Sequence, residues 1–145
     1  YESGNLDLFN NCIEINEKKY HEILIKNTVP LSHYDLEENK SLLLENNFEN
    51  LNSISWDKGC YIGQELTARM RYRALLKKRI YSLRIKVGSA KVHQSINEDG
   101  NNYGKIISLE NQSILAMLKI EFAEKKLKAQ KKIKTNEGLV LDFIA

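Results

Sequence analysis

The side chains best suited to chemistry gather in one short stretch, KGCYIGQELTAR, from Lys58 to Arg69. It sets Cys60 beside Gly59 and three residues ahead of Gly63, with Lys58 two positions before the thiol. A thiol attacks or ligates as the thiolate, a form that a nearby cation and a helix N-terminus both favour. The glycines permit positive φ or close backbone approach. The run after Gly63 reads as a helix, whose first turn carries unpaired N–H groups and partial positive charge. Gln64 and Glu65 fall in that turn. Arg69 and Arg73, four apart, share a helix face and suit a carboxylate or an acidic partner. Plainer readings stand beside these. A lone cysteine is often a small buried apolar group, Gly59 and Gly63 can be ordinary turn glycines, Tyr61 and Ile62 can be core, and the arginines can be solvated helix charges. His21, His33 and His93 do not cluster in the sequence, which leaves a Cys–His hydrolase without a visible base. No metal-ligand spacing or phosphate-loop motif is present.

The elements that must position this stretch read as follows. CIEI alternates like a short strand, with Asn16 as N-cap of a helix through EKKYHEILIKNTV. That helix presents Tyr20, Ile23, Leu24 and Val29 and is stopped by Pro30, the single proline. SHYDLEENK reads as loop. SLLLENNFENLN places Leu43, Leu44, Asn47, Phe48 and Leu51 on one stripe, a short helix. SISW is extended and DKGCYIG is loop by its glycines. The helix opening near Gly63 puts Leu66, Met70 and Arg73 on one face. From about Leu76 the pattern changes: Ile80, Ser82, Arg84 and Lys86 interleave with Tyr81, Leu83, Ile85 and Val87. Asp99-Gly100 marks a turn, and YGKIISLE, SILAMLKI and GLVLDFIA read as further strands, with a tight connection at NQS and a helical turn or two at EFAEKKL. Short strands at this spacing suggest a small antiparallel β-barrel or a sandwich. The expected fold class is α+β, with a boundary between residues 74 and 78.

Composition bounds the rest. The 145 residues fit one domain or two small ones, and 42% hydrophobic content supplies a core. The net charge of +3 is mild and much of it lies in KIEFAEKKLKAQKKIK, Lys119 to Lys134. That run reads first as a solvated face and second as an RNA- or membrane-contacting patch; nucleic acid is not the expected partner. Cys12 and Cys60, the only cysteines, indicate neither a disulfide framework nor a zinc site, and reduced thiols suit a cytosolic or organellar compartment. No apolar run reaches membrane-spanning length, so no membrane is expected as partner. The chain opens on YESGNLDLF without a Met, which suggests part of a longer protein.

KGCYIGQE resembles the signature of the YgfZ-type folate-binding proteins, relatives of the glycine-cleavage aminomethyltransferase that serve in iron–sulfur cluster assembly and repair. Lys58 through Glu65 match each fixed position of Lys-Gly-Cys-aromatic-x-Gly-Gln-Glu. TARMRYR resembles the continuation, with Arg69 and Arg73 as its two arginines. Val29-Pro30 and LLLENNFENLNSISW resemble the segments leading into it. Leu24, Thr28 and Ala74 depart from the family's arginine, glycine and glycine. The resemblance implies an aminomethyltransferase-like domain, represented by its C-terminal part in residues 1–75, followed by a small barrel in residues 76–145. It implies tetrahydrofolate as cofactor, in a pocket completed by an N-terminal half. Cys60 is then the reactive or ligating group, and Lys58, Gly59, Tyr61, Gly63, Gln64, Glu65, Arg69 and Arg73 hold the loop or reach the folate. The implied partners are folate, that N-terminal half, and iron–sulfur proteins or their assembly factors. The implied setting is a bacterial cytoplasm, or the mitochondrial matrix if eukaryotic. The alternative is a folate-dependent one-carbon transferase of aminomethyltransferase or demethylase type; such relatives typically lack the cysteine. Whether the chain turns over a substrate stays open.

Overall fold

A computed structural model of the chain describes residues 12–60, 62–73 and 75–144. Among the described residues, four helices, α1 (Glu17–Lys26), α2 (Ser32–Asp35), α3 (Gln64–Tyr72) and α4 (Ile120–Lys128), accompany six strands. The strands are β1 (Lys78–Val87), β2 (Ser95–Glu98), β3 (Asn101–Glu110), β4 (Ser113–Lys119), β5 (Ile133–Lys134) and β6 (Val140–Phe143). They form one antiparallel sheet in the order β2-β3-β4-β1-β6-β5. Its two edges approach each other: Lys134 N–H donates to Glu98 Oε1 at 2.8 Å and Asn136 N–H to the Asn97 carbonyl at 2.9 Å. The result is a nearly closed six-stranded barrel.

Alternation decides which side chains fill it. On β1, Tyr81, Leu83 and Ile85 point inward with Ile96, Ile106, Ile114, Ala116 and Leu118. The opposite face is covered as well. Ile25 of α1 is fully enclosed with Ile80 and Leu115, and Met117 packs against them. α4 follows β4 and sinks Phe122 and Ala123 into the interior core. Asp99 and Gly100, both at positive φ, form the two-residue turn between β2 and β3, and Asn111-Gln112 joins β3 to β4. At β3, a Cβ on Gly104 would meet the Met117 carbonyl oxygen at 2.0 Å, so the close approach of β3 to β4 there admits only glycine.

The region ahead of the barrel departs from the sequence reading. CIEI forms no strand; residues 12–16 carry no regular structure and Ile13 is exposed. Asn16 does cap α1, its Oδ1 accepting from Lys19 N–H at 2.8 Å. The buried face of α1 centres on Ile25, whereas Tyr20 and Ile23 are exposed. The helix also stops at Lys26, four residues before Pro30. Residues 32–40, read as loop, contain α2, where Asp35 Oδ2 accepts from Leu31 N–H at 2.7 Å. SLLLENNFENLN is a chain of turns over residues 43–52 rather than a helix. Asn47 (φ 68°) and Asn52 (φ 54°) take left-handed conformations, and Phe48 N–H and Ser53 N–H each reach back five residues, to Leu43 and Phe48. Each is a helix-terminating bond pattern repeated before a helix can extend. β2 and β5 are too short to have stood out from the alternation.

Candidate functional site

The turn segment fixes the approach to the signature. Asn47 Nδ2 donates to the Thr28 carbonyl at 3.1 Å, tying residues 43–52 to the end of α1, and Ile80 N–H donates to the Glu45 carbonyl at 2.8 Å, tying them to β1. Trp56 follows. Its ring lies 4.0 Å from the Arg71 guanidinium and meets Tyr72 edge-on with centroids 6.4 Å apart. Arg71 Nε also pairs with Glu49 Oε1 at 3.1 Å. This group joins the turns to the last turn of α3, and sequence reading missed it. The signal was present: a lone tryptophan and a Glu/Arg pair flanking the motif.

α3 begins at Gly63, whose φ of 89° is left-handed. A Cβ there would meet nothing within 4 Å, so the backbone conformation, not lack of space, favours glycine. Gly59 also faces open space and is not among the glycines at positive φ. Thr67 and Met70 form the buried face of α3, while Leu66, expected on that face, is exposed. Glu65 pairs with Arg69 one turn on, so these two candidate ligand groups engage each other. Arg73 is the exposed C-cap, its N–H bonded to the Arg69 carbonyl. The shared Arg69/Arg73 face is thus occupied at Arg69 by an acid of the same helix.

Lys58, Gly59 and Cys60 are exposed, Gln64 is half-buried, and Tyr61 lies outside the described residues. Lys58 and Gln64 both have interaction partners. Cys12 is exposed too, so access alone does not distinguish the thiols. The arrangement presents one sulfur on a surface loop running into a helix N-terminus, open to a second macromolecule or ligand. The described residues form no enclosure for a tetrahydrofolate, since a pocket for such a molecule buries most of it and Lys58, Gly59, Cys60 and Glu65 are exposed. Among the described residues, hollows of about 250 to 710 Å³ are lined by α1, α2, α4 and residues of the barrel strands and their connections. One, of about 490 Å³, includes His21, Tyr34 and Glu110. There His21 Nε2 lies 3.0 Å from Ser108 Oγ and Nδ1 3.8 Å from Glu110 Oε2, a link between α1 and β3 that sequence distance hid. No cluster of three or more metal-ligating side chains occurs among the described residues, and no helix there is long and apolar enough to cross a membrane.

No family model matches the chain. It is similar to the mitochondrial iron–sulfur cluster assembly factor IBA57 of Homo sapiens, 32% identical over 124 residues, which cover 82% of this chain and 34% of that protein. The Mus musculus counterpart is 38% identical over 66 residues, 46% of this chain and 18% of that protein. The tRNA-modifying protein YgfZ of Yersinia enterocolitica is 45% identical over 53 residues, 37% of this chain and 15% of that protein. The chain therefore spans about a third, or less, of the length of these relatives.

Proposed function

Over the matched segments the chain is a homologue of the IBA57 iron–sulfur cluster assembly factors and of YgfZ, and from that premise we propose that it works in iron–sulfur cluster assembly or repair. One observation carries the reading: Lys58, Gly59 and Cys60 of the signature are exposed, with the Cys60 sulfur accessible, ahead of the α3 N-terminus. A soft thiolate suits an iron centre or a sulfur-bearing client better than it suits packing. The presence of Cys60, which one-carbon transferases of this type typically lack, also favours maturation over that alternative.

Folate dependence belongs to the same proposal, through the aminomethyltransferase-like relationship. The signature residues form one wall of such a site, with Lys58, Gln64 and Arg73 as candidate polar contacts and the remaining length of the relatives as the candidate second wall. The setting that goes with this reading is the cytoplasm or the mitochondrial matrix, and the partners are iron–sulfur proteins or their assembly factors. The test is expression of the protein, at full length, in cells lacking their own factor. Recovery of iron–sulfur enzyme activity supports the proposal; no recovery at normal protein abundance overturns it.

A further inference from the structure

We infer that Arg71 is the positioning residue of the signature loop: its guanidinium, laid on Trp56 and paired with Glu49, locks the loop's entry against the far end of the helix that receives its exit. The loop leaves at Trp56 and returns at Gly63, the N-cap of α3. Arg71 lies seven residues beyond Gln64, roughly 10 Å along the helix axis. The entry is therefore held at the C-terminal end of α3 and the exit at its N-terminal end. The described residues of the loop, 57–60 and 62–63, carry no helix or strand, so no backbone ladder of their own fixes its base.

Arg71 supplies it through three contacts of different kinds. The guanidinium is 4.0 Å from the Trp56 centroid and 5.9 Å from the Tyr72 centroid, and Nε is 3.1 Å from Glu49 Oε1. Trp56 in turn meets Tyr72 edge-on. Glu49 belongs to the turn segment, Trp56 to the loop entry and Arg71 to α3, so one planar cation fixes three parts of the chain. Only a guanidinium can stack flat on an indole while keeping an in-plane N–H for a carboxylate. Lysine can keep the charge pair and lose the stack. The motif's own arginines do not do this: Arg69 is engaged by Glu65, and Arg73 is the exposed C-cap.

The inference rests on the loop being the working part of the proposed function, but its test does not depend on that function. Trp56 is the only tryptophan, so its emission reports the stack directly. Lys58 lies two residues along the exposed loop and offers a site for a lysine-specific protease. In Arg71→Ala, the indole emission should change, quenching by acrylamide should increase, and cleavage after Lys58 should speed up roughly two- to fivefold, the change in loop opening expected from losing an exposed stack. Arg71→Lys should fall between, and Arg71→Ala/Glu49→Gln should be no worse than Arg71→Ala alone. Unchanged emission and unchanged Lys58 cleavage in Arg71→Ala overturn the inference. So does faster cleavage at every lysine alike, which marks a general loss of stability. A positive result here with failed complementation by the wild-type protein leaves the clamp standing and removes the proposed function.

Discussion

Glu65 and Arg69 show how a motif residue can look like a ligand contact and serve its own helix. The pair is exposed and spaced i, i+4, a class that stabilises a helix by only about 0.3–0.5 kcal/mol. Arg69→Ala should therefore cost no more than about 0.5 kcal/mol in a denaturant melt, and any larger loss of cellular function would belong to the loop or its partner. A substantially larger stability loss would make Arg69 structural. At this scale the sequence was legible where residue type settles the matter. Gly63 does open α3 with a left-handed φ, and Asn16 does cap α1. It was illegible where a contact depends on chain reversal. The Arg71–Trp56 stack joins residues 15 apart through a loop whose path no local pattern encodes, and the His21–Ser108 contact spans 87 residues.

Helix ends explain most of the misread elements. The sequence reading sought stops at glycine and proline, but the chain stops helices with other residues at positive φ. Thr28 (φ 56°) ends α1 with Val29 N–H bonded to the Leu24 carbonyl, and Gln130 (φ 51°) ends α4 with Lys131 N–H bonded to the Lys126 carbonyl. Asn47 and Asn52 do the same within residues 43–52, so an apolar stripe of helical spacing produced turns. Thr28 is the informative case. A β-branched residue is strained in that conformation. Thr28→Gly should raise stability by up to roughly 1 kcal/mol, read as an upward shift in melting temperature; a drop would show that the Thr28 side chain contributes more than its backbone strain removes. Packing sets the opposite extreme. Ile25 is fully buried between α1 and the sheet, and Ile25→Ala should cost about 2–5 kcal/mol. A loss below about 1 kcal/mol would mean that α1 is not held on the barrel as described.

At the scale of the whole molecule, the β-rich half was read well because alternation reports a one-sided core directly. β1, β3, β4 and β6 overlap the strands expected, and the barrel closes through the short β2 and β5 that pattern alone could not separate from loop. The same whole-molecule packing sets a pH response. Burial first, with Glu124 adding to it and Arg79 opposing, holds the Tyr81 hydroxyl above the ordinary 10.0. Ionisation is thus harder in the folded chain than in the unfolded one. The stabilising effect is fully present below the unfolded value and is lost as pH rises through the folded one. Alkaline melts should show stability falling above about pH 10 in a way that Tyr81→Phe lessens; an unaltered fall would assign it to other groups. The lysines at the C-terminal end do not form an unbroken basic face. Lys126 pairs with Glu98 and Lys128 with Glu124, and Asp99 and Glu121 line one hollow together with Lys119, Lys125 and Lys131. This supports the solvated-face reading of Lys119 to Lys134 over the RNA-contacting one. The central claim is that the signature loop of an iron–sulfur assembly homologue works through its exposed sulfur. The most direct test replaces that sulfur alone: Cys60→Ser, compared with Cys12→Ser, in cells dependent on the protein. The account predicts that both variants accumulate and melt like the parent, within about 0.5 kcal/mol as expected of exposed sites, and that only Cys60→Ser fails to restore iron–sulfur enzyme activity. Full restoration by Cys60→Ser would contradict it.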